Sequence, residues 1–463
     1  MKLDMNRSRW VVATGLLAVV LIAACDRTKA ALLQPQNPGL IDTTAVTTPT
    51  SALALRIGAI GRYRNVIAGE GDWEMSGTLT DEFKNADFLT PRIDVDQRTM
   101  DNSQNWGYNA VQQTRGFIRD AISGMKSFLP DSTQYIGELY GELGFFEMTL
   151  ADMYCNGIPL GHTISGVITN GAPLTTQQVY DSAITHFDSA LTTLTGVDAY
   201  SIYARRAAQI YKARALVMKG QFAAAAALVS VANVPTSYQY DMTFSASSGS
   251  NPLWTLANSV ARITVGDSFD IVSGSPNVIQ NALPFASAND PRLPVLGGNA
   301  TNPKVPPEDG VTPMFLSQLW KGQFDPWVLA SGVDARLIQA EAALNSPDIA
   351  GMMLILNALR AAQPTIGLYT VPAMAPLPTP AGQAAATALF FREKAFWTFG
   401  RGQRLPDMRR MLRLYSAVYP TEDKVFPKGV FFKGGLYGTD VNFPIPATEQ
   451  ANPLFSACLD RKP

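Results

Sequence analysis

Apolar side chains recur at helical spacing along most of this chain, and the pattern predicts a mainly α protein. Between residues 134 and 154, for example, Leu139, Leu143, Phe146 and Leu150 fall on one face. Ser51 is a candidate cap for the first helix of the soluble body. The same reasoning predicts helices over residues 52–68, 104–128, 134–154, 177–194, 203–232 with a turn at Gly220, 335–344, 349–362 and 384–399.

One of these helices has the composition of a tetratricopeptide repeat. Ala183, Phe187 and Ala190 place two small residues around an aromatic one, which lets paired helices approach while the ring fills the groove. A second triplet at the same offsets is Ala225, Val229 and Ala232. Residues 335–344 and 349–362 suggest a third pair. We therefore expect irregular tetratricopeptide-like helix pairs, an α-α superhelix, rather than a simple solenoid.

Two stretches lack this periodicity, at residues 69–103 and 233–332. Both are rich in turn formers and carry isolated aromatic and acidic residues, and long loops of this kind are usually functional or disordered. Aromatic faces stack on sugars or pack on peptide side chains, while nearby carboxylates orient a ligand. The alternative for each tryptophan is a place in a subdomain core. The ligand-binding candidates are Trp73, Asp81, Phe88, Trp254 and Trp320.

The N-terminus has the pattern of a secretory signal. Basic residues precede an apolar run over residues 10–24, which is shorter than a usual membrane span. Leu21, Ile22, Ala23 and Ala24 before Cys25 resemble a bacterial lipobox, in which the cysteine is lipidated. We expect residues 1–24 to be a lipoprotein signal peptide, with lipid on Cys25. The alternative is an uncleaved membrane anchor.

Proline and threonine dominate residues 25–50, so this stretch is expected to be an extended tether. Residues 51–463 would then form the folded body, with a loop-rich insertion at about 233–332. The chain has 37 basic and 38 acidic residues, so its charge gives no reason to expect a nucleic-acid partner. Cys155 and Cys458 either pair in a disulfide outside the cytoplasm or remain two thiols.

Catalytic and metal-binding signals are weak. The chain has two histidines, His162 and His186, and no phosphate loop, nucleophile elbow or HExxH motif. Asp94 and Asp96 lack the later ligand positions of a calcium loop. We therefore expect no catalytic residue, metal or cofactor, and a binding protein rather than an enzyme.

Five stretches form an ordered set of motifs along the chain: 156–160 (Asn-Gly-Ile-Pro-Leu), 289–293 (Asn-Asp-Pro-Arg-Leu), 336–345 with 356–360, 392–397 with 402–409, and 443–446 with 452–453. In this order they resemble the SusD/RagB family of nutrient-binding outer-membrane lipoproteins. Trp-Thr-Phe-Gly at 397–400 departs from the glutamate-glycine more usual in that family. Arg404 and Asp407 lie three residues apart in the late stretch and are expected to form a buried or half-buried scaffold pair.

This resemblance implies four tetratricopeptide helix pairs packed against a loop-rich subdomain that carries the ligand site. It also implies a partner, a TonB-dependent (SusC-like) outer-membrane transporter, over which the lipoprotein sits as a lid. The ligand would be an oligosaccharide or a peptide, and the location the cell outer membrane through the N-terminal lipid. Asp26 resembles an inner-membrane retention signal of some bacteria. The alternative function is a tetratricopeptide-type scaffold lipoprotein that holds other proteins together without taking up a small ligand.

Overall fold

The computed structural model describes residues 46–68, 72–105, 107–164, 167–272, 274–297 and 306–463. Residues 47–463 form one compact unit. The expected signal peptide, Cys25, Asp26, most of the tether and Trp106 lie outside the described residues. Among the described helices, none combines the length and the apolar character needed to cross a bilayer.

Helices are the main regular structure of the described residues, as the apolar pattern predicts. The main ones are α1 (Pro49–Ala68), α2 (Asp72–Leu79), α3 (Thr90–Gln97), α4 (Tyr108–Phe128), α5 (Thr133–Met153), α6 (Thr176–Thr193), α7 (Ala199–Met218), α8 (Phe222–Leu228), α9 (Pro252–Trp254), α10 (Gly332–Asn345), α11 (Ile349–Ala361), α12 (Gln383–Trp397) and α13 (Arg404–Leu414). They pack in successive antiparallel neighbours, α4 on α5, α5 on α6, α6 on α7 and α10 on α11. The predicted fold class, mainly α with tetratricopeptide-like pairs, is confirmed.

Side-chain caps fix where several of these helices begin. Thr175 and Gln178 form a capping box at α6, and Ser331 and Asp334 form another at α10. The Asp198 carboxylate accepts from the Ser201 N–H at the start of α7. Ser51 is not the N-cap of α1, because that helix begins at Pro49, three residues earlier than a cap at Ser51 requires.

The contact between α5 and α6 explains the repeat pattern. Ala183, Phe187 and Ala190 on α6 are fully buried. Opposite them α5 carries glycines, and a Cβ on Gly144 would lie 2.7 Å from the Phe187 ring and 2.9 Å from the Ala183 carbonyl oxygen. The helices are therefore as close as glycine permits, and the aromatic ring fills the groove between them. This prediction from the first triplet is confirmed.

Two further predictions about local structure are wrong. Residues 69–103 are not wholly irregular, since α2 and α3 lie within them. Helix α2 is eight residues long and contains Gly77, so tertiary packing rather than propensity stabilises it. The second triplet is incomplete, because α8 ends at Leu228 and Ala232 lies beyond it, exposed.

Strands are short, and in the described part of the chain they form antiparallel, two-stranded pairs. The pairing of β6 with β12 ties the loop-rich insertion to the helical repeats, because β12 runs directly into α10. The strands are β1 (Phe83–Asn85) with β7 (Ile263–Val265), β2 (Ile158–Pro159) with β5 (Pro173–Leu174), β3 (His162–Ile164) with β4 (Val167–Thr169), β6 (Gln239–Met242) with β12 (Trp327–Ser331), β8 (Phe269–Val272) with β9 (Ser275–Val278), β10 (Val295–Gly297) with β11 (Phe315–Ser317), and β13 (Thr365–Ile366) with β14 (Tyr369–Thr370).

The C-terminal segment is fastened to the end of α5. Cys155 and Cys458 form a disulfide that joins positions 303 residues apart. Beside it, the Cys155 N–H donates to the Phe443 carbonyl oxygen at 2.9 Å. Gly157 has φ +109°, and a Cβ there would lie 2.9 Å from the Leu459 backbone nitrogen. Of the two alternatives that the sequence left open for these cysteines, the structure has the disulfide.

Candidate ligand-binding cavity

A cavity of about 480 Å³ opens where α1, α5 and α7 meet β6 and β12. This volume is within the usual range for small-ligand sites. By comparison, the polar void beside Asp407 holds about 20 Å³, room for a single water. We call the larger space the tyrosine cavity; its lining is Arg56, Ile57, Ile60, Gly61, Glu138, Glu142, Tyr200, Tyr203, Tyr240, Asp241, Met242, Thr243 and Leu329.

Helical spacing brings the polar groups of the tyrosine cavity together. Glu138 and Glu142 are four residues apart on α5, and Tyr200 and Tyr203 are three apart on α7, so each pair shares a face. Ile57 on α1 lines the same space and is 64% exposed, which leaves an uncovered apolar surface beside the polar one. Rigid helices rather than loops therefore form most of this wall.

One carboxylate of the cavity is neutralised by an arginine. Glu138 accepts from Arg56 Nη2 through Oε2 and from the Tyr200 hydroxyl through Oε1, the latter at 2.5 Å. The Arg56 guanidinium carbon also lies 4.0 Å from the centroid of the Tyr135 ring, a cation–π contact. Arg56 is thus held against the wall by a charge and by an aromatic face.

The second carboxyl group is more deeply buried and less well paired. Glu142 is 5% exposed, and its Oε1 accepts from the Tyr240 hydroxyl at 2.9 Å. Within the part of the chain that the structure describes, its Oε2 has no hydrogen-bond partner. Burial, reinforced by the nearby charge of Glu138, raises the pKa of Glu142 to about 8. Glu142 therefore holds a proton at neutral pH.

Asp241 presents a similar half-paired group from β6. Its Oδ2 accepts from the Gln239 side-chain amide at 2.7 Å, and Oδ1 has no partner among the described residues. Burial raises the pKa of Asp241. The ring of Tyr203, 38% exposed, lies 4.9 Å from that of Tyr240. Aromatic faces beside polar side chains suit an organic ligand that can both stack and form hydrogen bonds.

The sequence-predicted residues lie elsewhere, and two of the tryptophans are core residues. Trp73 is 2% exposed and lies in α2, and Trp320 is 7% exposed. Trp327 packs between them, with ring centroids 5.2 Å from Trp73 and 6.3 Å from Trp320. Because nearly all of their surface is covered by protein, neither indole presents a face to a ligand. The expectation that Trp73 lies in an irregular segment is corrected accordingly.

Asp81 is also buried, at 5% exposure, and already has a partner. Its two carboxylate oxygens accept from Arg404 Nε at 2.8 Å and Nη2 at 2.9 Å. The prediction that Arg404 pairs with Asp407 is therefore wrong, although Arg404 is a buried scaffold residue as expected. Asp407 instead accepts from Lys394 at 2.7 Å and lies 2.9 Å from Arg410. Arg404 thus pairs with an acid that only the fold brings near, whereas Asp407 keeps an i,i+3 partner in Arg410.

Phe88 and Trp254 remain accessible but do not line the tyrosine cavity. Phe88 is 62% exposed. Trp254 is partly exposed, and its Nε1 donates to the Lys321 carbonyl oxygen at 3.2 Å. The cavity residues themselves were missed because apolar periodicity assigned α5 and α7 to packing. The spacing of Glu138 with Glu142 and of Tyr200 with Tyr203 is the signal that marked a polar face there.

The motif residues outside the cavity form buried ion pairs between distant segments. Arg292 Nη1 donates to Glu393 Oε2 at 2.7 Å, and Arg360 lies 3.1 Å from the same carboxylate. Glu341 of α10 accepts from Arg410 of α13 at 2.8 and 2.9 Å. These contacts join stretches that carry the family resemblance. These motif residues therefore stabilise the scaffold and do not form the candidate ligand site.

One of the two histidines contacts a buried carboxylate. His186 Nδ1 lies 2.8 Å from Glu147 Oε2. Burial alone would raise the pKa of Glu147, but Arg115 and His186 hold it well below its usual range. Across the segments that the structure describes, no group of three or more His, Cys, Asp or Glu side chains suits a metal ion.

Within the described residues, helical pairs and a loop-rich insertion form a helical-repeat body that contains the tyrosine cavity. Solved structures place the fold more narrowly. A SusD-like protein of Bacteroides fragilis matches with a TM-score of 0.62 at 12% identity, over 91% of this chain and 100% of that one. A SusD superfamily protein of Bacteroides vulgatus matches with a TM-score of 0.59 at 15% identity, over 89% and 100%.

A further SusD-like carbohydrate binding protein of Bacteroides vulgatus matches with a TM-score of 0.56 at 14% identity, over 78% of this chain and 83% of that one. No family model matches the sequence, and no curated protein matches it either. The chain has the SusD fold. The fold that the sequence resemblance implied is thereby confirmed.

Proposed function

We propose that this chain is a lipid-anchored, surface-exposed nutrient-binding protein that captures a glycan or a peptide. The ligand binds in the tyrosine cavity and is then passed to a TonB-dependent, SusC-like outer-membrane transporter. Lipid on Cys25 holds the protein at the outer membrane, and the residues between Cys25 and α1 form the tether. Phe88 and Trp254 remain candidates for a second contact surface on the exposed loops.

The observation that carries this proposal is a cavity of about 480 Å³ with three tyrosines and a buried, half-paired carboxyl group in a chain of SusD fold. Aromatic rings offer flat faces to sugar rings and to peptide side chains alike. One of the similar structures is described as a carbohydrate binding protein. The fold itself is compatible with many functions, so the cavity chemistry is the stronger argument.

A thermal-shift screen tests the binding role. The soluble body, residues 26–463, is mixed with a panel of oligosaccharides and short peptides, and its melting temperature is recorded. A true ligand raises the melting temperature of the wild type but not of Tyr203→Ala, which removes an exposed ring of the cavity. Phe269→Ala is the matched control, since Phe269 is an exposed aromatic residue outside the cavity. Loss of the response in Phe88→Ala alone would move the site to the loops.

The alternative is a scaffold lipoprotein that only joins other proteins through its tetratricopeptide-like helices. The absence of any glycan or peptide that shifts the melting temperature, together with no TonB-dependent transporter gene nearby, would favour this alternative. Co-purification of a transporter barrel with the membrane-extracted protein would favour the uptake role. The screen and the co-purification therefore separate the two functions.

A further inference from the structure

The hairpin of β8 and β9 has its polar and apolar side chains on the opposite sides from those expected of a surface strand. Successive residues of a strand point to opposite faces. In β8 the residue that points into the body is Asp270, which is 4% exposed and forms an ion pair with Lys84 of β1. Phe269 and Ile271 on either side of it are exposed. The hairpin therefore buries a carboxylate and presents large apolar side chains to solvent.

The exposed apolar side chains continue across neighbouring segments of the chain. Phe269 is paired with Val278 in the ladder of β8 and β9. An antiparallel bridge between Gln280 and Lys428 joins β9 to the next segment, and this register places Val278 opposite Val430. We call the exposed apolar side chains of this face the apolar row; they are Phe269, Ile271, Val278, Val430 and Leu436.

The size of the apolar row is that of an interaction site. A further bridge joins Val430 to Leu436, so four adjacent segments contribute to it. Its five side chains are between 41% and 71% exposed. With about 150–200 Å² for a side chain of this size, they leave on the order of 400–500 Å² of apolar surface in water. Patches of this size on a soluble protein usually mark a contact with another molecule.

The opposite face of the same segments is fixed to the body by charges. Besides the pair of Asp270 and Lys84, Lys433 Nζ lies 2.8 Å from Asp309 Oδ2. The Lys84 ammonium also lies 3.8 Å from the centroid of the Phe432 ring. Turning the apolar row inward would break these buried pairs, which is costly. A surface that covers the row therefore has to come from outside the described part of the molecule.

The rim of the apolar row indicates what that surface is. Lys428 is two residues before Val430 and so lies on the same face of its segment. Asp423 lies 3.1 Å from Lys428 and 3.8 Å from Lys424, so the rim carries both signs of charge. An anionic membrane surface attracts mainly basic residues, and a strongly charged protein attracts one sign. A mixed rim around an apolar centre instead suits a second copy of the same surface, because a twofold contact brings one patch against itself.

We propose that two copies of this chain associate through the apolar row, in a twofold contact that lays the row of one copy on the row of the other. The lysines and Asp423 of the two rims can then pair across the contact. Its apolar centre is about half of the roughly 800 Å² that each partner contributes to a standard interface, so the dissociation constant should be micromolar. None of the five residues lines the tyrosine cavity, and the inference does not depend on the proposed ligand site.

Sedimentation velocity of residues 26–463, which contain the whole compact unit, tests the inference. The dimer fraction should rise as the protein concentration increases from about 1 to 200 µM. Val278→Lys places a charge in the middle of the row and should weaken dimerisation at least about tenfold, and Leu436→Lys should weaken it from the end of the row. Leu354→Lys is the matched control, since Leu354 is an exposed leucine of α11 outside the row. It should leave the dimer unchanged.

Cross-linking keeps the inference testable if the lysine variants fold poorly. Residues 26–463 lack Cys25, and Cys155 and Cys458 are bonded to each other, so an introduced cysteine supplies the reactive thiol. Val278→Cys should be converted to a covalent dimer by a short bismaleimide. Leu354→Cys, treated in the same way, should remain monomeric.

A protein that stays monomeric across this concentration range would overturn the inference, and so would a dimer that neither lysine variant weakens. Equal weakening by Leu354→Lys would also overturn it, because the effect would not belong to the row. Binding of the monomer to phosphatidylcholine vesicles, lost in Val278→Lys, would assign the row to a lipid surface instead. None of these results bears on ligand capture, which the thermal-shift screen decides separately.

Discussion

Asp81 and Arg404 lie 323 residues apart in sequence and form a two-point ion pair in the core. Asp81 follows α2, and Arg404 begins α13, so the pair joins the first third of the body to its last. Both side chains are nearly fully buried. Asp81 Oδ2 also accepts from the Leu283 N–H at 2.8 Å, which brings the loop-rich insertion into the same contact. Asp81, which the sequence suggested as a ligand contact, thus holds distant segments of the body together.

Asp81→Asn should lower the free energy of unfolding by about 3–5 kcal/mol, because it leaves the Arg404 charge buried without its partner. Urea unfolding followed by circular dichroism measures the loss. The control is Asp188→Asn, whose pair with Lys212 is solvent-exposed, with an expected loss below about 1 kcal/mol. Equal losses in the two variants would mean that the Asp81 pair contributes no special stability.

Gly144→Ala should destabilise the protein by about 1–3 kcal/mol, because the new methyl group overlaps the Phe187 ring and the Ala183 carbonyl oxygen. Gly116→Ala on α4 is the matched control. A Cβ at Gly116 meets nothing within 4 Å, so the substitution should be neutral or stabilise by up to about 1 kcal/mol. Thermal melting of the two variants side by side measures the difference. Equal melting temperatures would contradict the close contact between α5 and α6.

Glu82 should make stability fall as pH rises. Burial, with a smaller contribution from the Asp81 charge, raises the pKa of Glu82 from 4.5 to about 8. Between these values the folded state keeps a proton that the unfolded state releases, so higher pH favours unfolding. Glu82→Gln should reduce the fall in the free energy of unfolding between pH 5 and pH 8 by about 1–4 kcal/mol. Urea titrations at several pH values measure it, and an unchanged slope would contradict the assignment to Glu82.

The Cys155–Cys458 disulfide should appear as one cross-linked peptide when the unreduced protein is digested and analysed by mass spectrometry. Cys458→Ser should lower the free energy of unfolding by about 2–5 kcal/mol, because the unfolded chain regains the freedom of a long loop. Alkylation of both thiols in the untreated folded protein would show instead that they are not bonded.

Lipid attachment should depend on Cys25. In cells fed an alkyne fatty acid, Cys25→Ser should remove the label and release the protein from membranes. Cys458→Ser should keep the label, which separates lipidation from a general effect of losing a cysteine. Persistence of the label in Cys25→Ser would exclude this residue as the attachment site. Density fractionation of the labelled wild type would show which membrane it reaches.

The helical scaffold was predictable because its signal is local. The repeat of apolar residues along α5 and the Ala183, Phe187, Ala190 triplet need only neighbouring turns to be recognised. Helix α2 was not predictable in this way, since its Trp73 packs against Trp327, which lies far along the chain. Arg404 illustrates the same limit for ion pairs. Its nearest acid in sequence is Asp407, but folding brings Asp81 into better geometry.

The candidate site was harder to foresee. Tryptophans in irregular stretches attract attention as ligand contacts, but large apolar rings lose the most by staying in water, and Trp73 and Trp320 are buried. The tyrosine cavity is built from residues that share helices with the core. Glu142 on α5 contacts Tyr240 on β6, which lies 98 residues later in the chain. No local sequence pattern indicates that β6 completes the wall of the cavity.

Helix α1 is the first element that the structure describes, and it supplies a wall of the tyrosine cavity through Arg56, Ile57 and Ile60. A force applied to the chain upstream of Pro49 is therefore transmitted to the body through α1 and this wall of the cavity. A ligand that touches both α1 and β6 resists such a pull, and a strong pull widens the space it occupies. We therefore expect ligand retention in the proposed site to depend on mechanical tension. Protein stretched from its N-terminal end should release a ligand sooner than protein stretched from its C-terminal end.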